Sequence, residues 1–154
     1  DSPHALEATV ERLKDVKSVG IDVGLDFHGR VHKTLAKQLA AALEPHKPLF
    51  IEEPLLPGQV PEMEKLYRKT NIPIAVSTAF QAVSEETYHL RASLGKDYSR
   101  DKTFGVFEAG CIDIIQPDIS HAGGISETRR IANMAETYDI GVAPHCPLGP
   151  IAFA

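Results

Sequence analysis

Short β-rich runs alternate with longer helical ones along this chain, and that alternation admits few folds. Leu6 to Val16 carries a helical stripe of Leu6, Val10, Leu13 and Val16, and Val19 to Phe27 reads as a strand that stops at the Gly29 turn. Val31 to Leu43 returns to helix with Leu35, Leu39 and Leu43 on one face, and Pro45 ends it. Leu49 to Glu52 is a short strand, Pro61 to Lys69 a helix and Ile72 to Val76 the next strand. Ile112 to Gln116 and Ile140 to Ala143 are strands separated by a helix over Ser126 to Tyr138. Strand, helix, strand, helix is the signature of a parallel sheet with right-handed crossovers.

Length decides between the parallel folds. A complete eight-stranded (β/α) barrel takes about 250 residues, and this chain has 154 with five readable strands. A doubly wound open sheet fits the length, but it expects a Gly-rich phosphate turn after its first strand. Here that strand ends in Asp26-Phe27-His28-Gly29-Arg30 instead. The expectation is α/β, part of a TIM-type barrel. Residues 77 to 101 stand apart: they are polar, lack a sustained period and follow a strand directly.

In a barrel the C-terminal strand ends face one mouth and supply the chemistry. Four ends here carry suitable groups. Asp26 and His28 are two apart, so in an extended chain they point the same way. Glu52 and Glu53 are neighbours, so only one of them faces the mouth. Asp118 follows Gln116-Pro117, and the last strand ends in Pro144-His145-Cys146-Pro147. Carboxylates on adjacent strands make an oxygen-rich site suited to Mg²⁺. An Asp and a His on neighbouring strands, about 4.8 Å apart, can hydrogen-bond, and the carboxylate then orients the imidazole and raises its basicity. Asp118 with His145 fits that role. The sketch is a divalent metal between two histidines, one of them backed by a carboxylate.

Each motif also has a plain structural reading. Asp-x-His serves as a turn pair, Glu-Glu-Pro as a solvated strand exit, and Asp after Pro as turn chemistry. His121-Ala122-Gly123-Gly124 suggests a phosphate loop but reads better as a tight βα connection, and Cys146 reads as a small buried cysteine rather than a nucleophile. Their joint placement at successive strand ends favours the functional reading.

The segments LDFHGRVHK, PLFIEEP, IIQPDISHAGGISETRRIA and APHCPLGPIAFA, in that order, closely resemble the acid-sugar dehydratases of the enolase superfamily. The likeness is to the C-terminal barrel of the mandelate racemase and muconate lactonizing enzyme type, over about 5 to 76 and 104 to 154. It implies Mg²⁺-dependent dehydration of a hexonate of the galactonate type, by removal of the proton alpha to the carboxylate and loss of the 3-hydroxyl. Asp26 and Glu52 match the first two of three metal-binding carboxylates. His28 matches the acid that protonates the leaving hydroxyl, His145 the base, and Asp118 the carboxylate partner of that base.

The chain departs from the family pattern in three places. A Gly-Glu-Arg motif carrying the third ligand should follow Ile72-Pro73-Ile74-Ala75, and Val76-Ser77-Thr78 follows instead. The N-terminal capping domain with the first barrel strands is missing, and so is the last strand. The segment at about 76 to 101 therefore reads as an anomalous insertion. Val-Ser-Thr is what a splice donor GTAAGTA encodes when read through, so residues from about 76 to 97 fit retained non-coding sequence. The alternative is a true insertion from which Glu85 or Glu86 reaches back to the metal.

Other classes fit less well. A catalytically dead fragment or pseudoenzyme, short of its third ligand and binding at most a partner protomer, is the main rival. A metal-dependent hydrolase would recruit more histidines. The net charge of -5 argues against a nucleic-acid partner, and no apolar run approaches the roughly 18 residues of a membrane span. The expected partner is a small acid sugar, with homo-oligomers common in the family. Two cysteines make no disulfide framework, which together with the absence of a visible signal makes the cytoplasm the expected location.

Overall fold

A computed structural model describes residues 2–56, 59–77, 106–146 and 149–153. The chain divides into two compact units, Asp1–Ala75 and Val76–Ala154. Both are α/β, and each described strand pair within them is parallel.

The first unit opens with α1, Pro3–Lys17. Ser2 caps it by accepting the Ala5 N–H at 3.1 Å, Pro3 sits at its start, and Lys14 and Lys17 lie in its last turn. These are the residues that favour a helix at each end. The helix thus starts earlier than its apolar stripe, of which Leu13 alone is buried. Next comes β1, Leu25–Asp26, then α2, Lys33–Leu43, which buries Ala36, Leu39, Ala40 and Leu43 at i, i+3, i+4 and i+7. A 3₁₀ turn over Glu44–His46 holds Pro45 and ends at Lys47 in the left-handed region. Then follow β2, Ile51–Glu52, α3, Val60–Tyr67, and β3, Ile74–Ser77. All of β3 is buried, as expected of a strand covered on both faces. Contacts join α1 to α2 and α2 to α3.

The strand expected over Val19 to Phe27 is much shorter. Gly20 takes φ +85 and donates to the Lys17 carbonyl at 3.0 Å, closing a turn at the end of α1. Val19 and Ile21 are left 71% and 54% exposed. Their β propensity has no neighbouring strand to act on, because the ladder begins only where Leu49 N–H donates to the Val23 carbonyl at 2.8 Å. From there the backbone bonds continue, Leu25 to Phe50, Phe27 to Glu52 and Gly29 to Glu53, at 3.1, 3.0 and 2.9 Å.

In the second unit a helical turn over 106–109 precedes β4, Ile114–Gln116. Helix α4, Ile125–Thr137, buries Ile131 and Ala135, and β5, Gly141–Val142, follows it. The buried Phe107 ring packs on Tyr138 with centroids 5.6 Å apart. A short α5, Pro150–Phe153, closes the described residues. The expected strand at Ile140 to Ala143 narrows to two residues, although Ala143 N–H still donates to the Ile115 carbonyl at 3.0 Å. Of the anomalous segment, Val76 and Ser77 finish β3, and residues 78–105 lie outside the described residues. Among the described residues no helix is long and apolar enough to cross a membrane.

Candidate active site

In the first unit β1 and β2 are in register, Asp26 opposite Glu52. Parallel neighbours lie about 4.8 Å apart, so two carboxylates stand side by side at the strand ends. Asp26 Oδ1 accepts the His28 N–H at 2.9 Å, and Asp26 Oδ2 pairs with His28 Nδ1. The extended-chain argument for this pair needs correction. His28 has φ +51, so the chain has already turned, and the Asp26 side chain caps that turn. Both residues still lie on the exposed side of a run that alternates strictly from Val23 to Arg30.

The two glutamates separate as expected for strand neighbours. Glu52 is half-buried, whereas Glu53 is 1% exposed and takes φ +44. Glu53 is also a backbone hub. Its N–H donates to the Ala75 carbonyl and its carbonyl accepts the Gly29 N–H, both at 2.9 Å. A left-handed non-glycine residue is strained, and nothing in a pair of chemically identical glutamates announces which one will carry that strain.

The oxygen donors of Asp26 and Glu52 suit a hard divalent cation in kind. On the next strand, however, the register partner of Glu52 is Ala75, followed by Val76 and Ser77. Among the described residues no group of three or more His, Cys, Asp or Glu side chains converges on one point.

The second unit builds its site through the β4–β5 ladder. Gly141 N–H donates to Asp113, Ala143 to Ile115 and His145 to Pro117, at 2.9, 3.0 and 3.2 Å. That steady offset carries the pairing past both strands and sets His145 beside Asp118. His145 Nδ1 lies 2.9 Å from Asp118 Oδ2, as the strand spacing predicted. Asp118 Oδ1 accepts the Ser120 N–H at 2.7 Å, so Gln-Pro-Asp does make the turn expected of it. Asp118 is fully buried, and the His145 side chain is 31% exposed. Burial opposes ionisation of Asp118, yet the bonds from His145 and Ser120 and the nearby His121 outweigh it and hold the carboxyl below its ordinary range. An Nδ1–H donated to that carboxylate leaves Nε2 with the lone pair, the tautomer a base requires.

His121 to Gly124 is a tight connection. Gly123 and Gly124 take φ +101 and +91, and Gly124 N–H donates to the Ile119 carbonyl at 3.0 Å. Cys111 is buried, but Cys146, expected to be buried, is half-exposed, and neither forms a disulfide.

The sequence profile of the family described as enolase C-terminal domain-like matches residues 2–93 and 96–154. A D-galactonate dehydratase of Ralstonia nicotianae is 45% identical over 157 residues, covering 100% of this chain and 37% of that protein. One from Cronobacter sakazakii is 47% identical over 146 residues, covering 95% and 34%. Among solved structures, an enolase superfamily member from Salmonella Typhimurium superposes with TM-score 0.82 at 26% identity, over 99% of this chain and 36% of its own. An enolase from Agrobacterium radiobacter, bound to Na and L-malate, gives 0.76 at 31% identity, over 96% and 34%. The chain thus spans about a third of the length of these relatives.

Proposed function

Since this chain belongs to the enolase C-terminal domain-like family, we propose that it serves Mg²⁺-dependent dehydration of a hexonate, D-galactonate, to the 2-keto-3-deoxy acid. The observation that carries this reading is the 2.9 Å contact between His145 Nδ1 and the buried Asp118 carboxylate. The names of relatives at 45 to 47% identity support the substrate.

In this mechanism His145 Nε2 takes the proton from C2, and Asp118 fixes the ring and stabilises the imidazolium that forms. His28, held by Asp26 at the end of β1, gives a proton to the departing 3-hydroxyl. The C3–O bond breaks, water leaves, and the enol product tautomerises to the 2-keto acid. Asp26 and Glu52 would hold Mg²⁺, which when bound stabilises the charge developing on the substrate carboxylate.

A second reading, a chain without turnover, is favoured by one observation. The β3 end offers Ala75, Val76 and Ser77 where a third carboxylate would serve. In that case the segment from about 76 to 101 is a true part of the protein, and peptide sequencing of the natural protein across Asn71 to Ile112 detects it directly.

The deciding experiment incubates the chain with D-galactonate and Mg²⁺ and follows the 2-keto-3-deoxy acid. Product that disappears on chelation and in His145→Asn supports dehydration. A folded chain that forms no product supports the second reading.

A further inference from the structure

The β1–β2 ladder begins beneath the carboxylate pair. Leu49 N–H donates to the Val23 carbonyl and Leu25 N–H to the Phe50 carbonyl, at 2.8 and 3.1 Å. Leu25 stands opposite Ile51 and Asp26 opposite Glu52, so one step back along both strands sets Gly24 opposite Phe50. Side chains alternate along a strand, which puts Gly24 and Phe50 on the face of Asp26 and Glu52. Burial agrees: Ile51, on the other face, is 1% exposed, whereas Phe50 and Glu52 are both half-buried. A Cβ on Gly24 would lie 2.4, 2.6 and 2.8 Å from Cζ, Cε2 and Cε1 of Phe50. The far edge of the ring therefore reaches across from β2 and fills the place of a Gly24 side chain. It does so one residue pair, about 6.6 Å along the strands, below the carboxylates. Gly24 is not in the left-handed region, so its backbone conformation does not call for glycine. The ring does.

We propose that Phe50 is a positioning residue for the cation: its ring, seated on Gly24, is an apolar floor beneath Asp26 and Glu52. This rests on the reading above in which those two carboxylates hold Mg²⁺. A ring on the same face one pair below displaces water from the underside of the carboxylates. Their attraction for a cation strengthens as the local dielectric falls, and the apolar shell around a metal site controls that dielectric. A methyl group at position 24 would dislodge the ring, so the two residues act as one device.

The test is calorimetric titration of the full chain with MgCl₂ alone, which needs no turnover. The proteins are wild type, Phe50→Leu, Phe50→Ala, Gly24→Ala and the double variant Gly24→Ala/Phe50→Ala, with circular dichroism as the fold control. Phe50→Ala should bind Mg²⁺ about 10-fold more weakly, the low end of what residues behind the ligands contribute to a metal site. Phe50→Leu keeps an apolar floor and should recover most of that loss. Gly24→Ala should also weaken binding, but it should add nothing once the ring is gone, so the double variant should bind as Phe50→Ala does. If Phe50 only packs, its variants lose stability while the folded chain binds Mg²⁺ as wild type does, and the inference fails with the metal reading intact. Losses that add in the double variant overturn it as well, because Gly24 would then act by a route other than the ring. Should Phe50→Ala not fold, Gly24→Ala decides alone, and an unchanged affinity there sinks the idea. If wild type binds no Mg²⁺, the metal reading fails and this inference with it.

Discussion

Two Asp–His pairs stand at strand ends in this chain, and they are made in opposite ways. Asp26 and His28 are two residues apart, lie on an exposed run and are joined by a turn the aspartate itself caps. Asp118 and His145 are 27 apart, and only the β4–β5 ladder brings them together. The first pair depends on local backbone conformation, the second on a strand register that extends beyond the strands. The contrast suits the proposed roles: an acid that meets a leaving group needs access, whereas a base needs a buried carboxylate to fix its tautomer.

The largest effect should come from breaking the ladder-made pair. Asp118→Asn keeps the shape but presents an amide to His145 Nδ1, so the neutral ring no longer has to leave Nε2 as the acceptor. Turnover of D-galactonate should fall roughly 10³- to 10⁴-fold, as when the aspartate of a catalytic triad is amidated. Steady-state kinetics with circular dichroism as the fold control measures it. A fall of less than tenfold would mean that Asp118 does not orient the base.

The turn-made pair should break through its backbone. Gly29 takes φ +62, and a Cβ there would lie 2.8 Å from Leu56 Cδ2 and 3.3 Å from its Cα. Gly29→Ala combines left-handed strain with crowding, so it should cost about 1–3 kcal/mol. A urea melt should show a lower midpoint at unchanged slope. An unshifted midpoint would show that the Asp26–His28 turn tolerates a normal backbone.

The same contrast governs what could be read from sequence. Register is periodic, so strand spacing allowed the ladder pair: with β4 and β5 as parallel neighbours, Asp118 and His145 come within hydrogen-bonding reach. The stripe of α2 was legible for the same reason. Left-handed residues are not periodic. The turn at Gly20 cut the first strand to Leu25–Asp26 although Val19 and Ile21 favour strand. His28 reached the expected side by a turn rather than by extension. Glu53 went into the interior with φ +44, a conformation that a glutamate does not advertise.

The smallest expected effect lies in the acid stability of the ladder-made pair. The Asp118 carboxyl sits below its ordinary value of 3.8, since its hydrogen bonds and the neighbouring histidines outweigh burial. The folded chain therefore binds this proton more weakly than the unfolded chain does. The resulting stability is fully present above the ordinary carboxylate range and is lost as pH falls through the lowered folded value. Asp118→Asn has no carboxyl to titrate. The stability difference between wild type and Asp118→Asn, from denaturant melts at successive pH values, should thus shrink on acidification across that window and stay flat above it. Parallel curves would mean that the histidines and the Ser120 N–H only offset the cost of burying Asp118. The ladder would then position that carboxylate without favouring its charge, and the two pairs would differ in geometry alone.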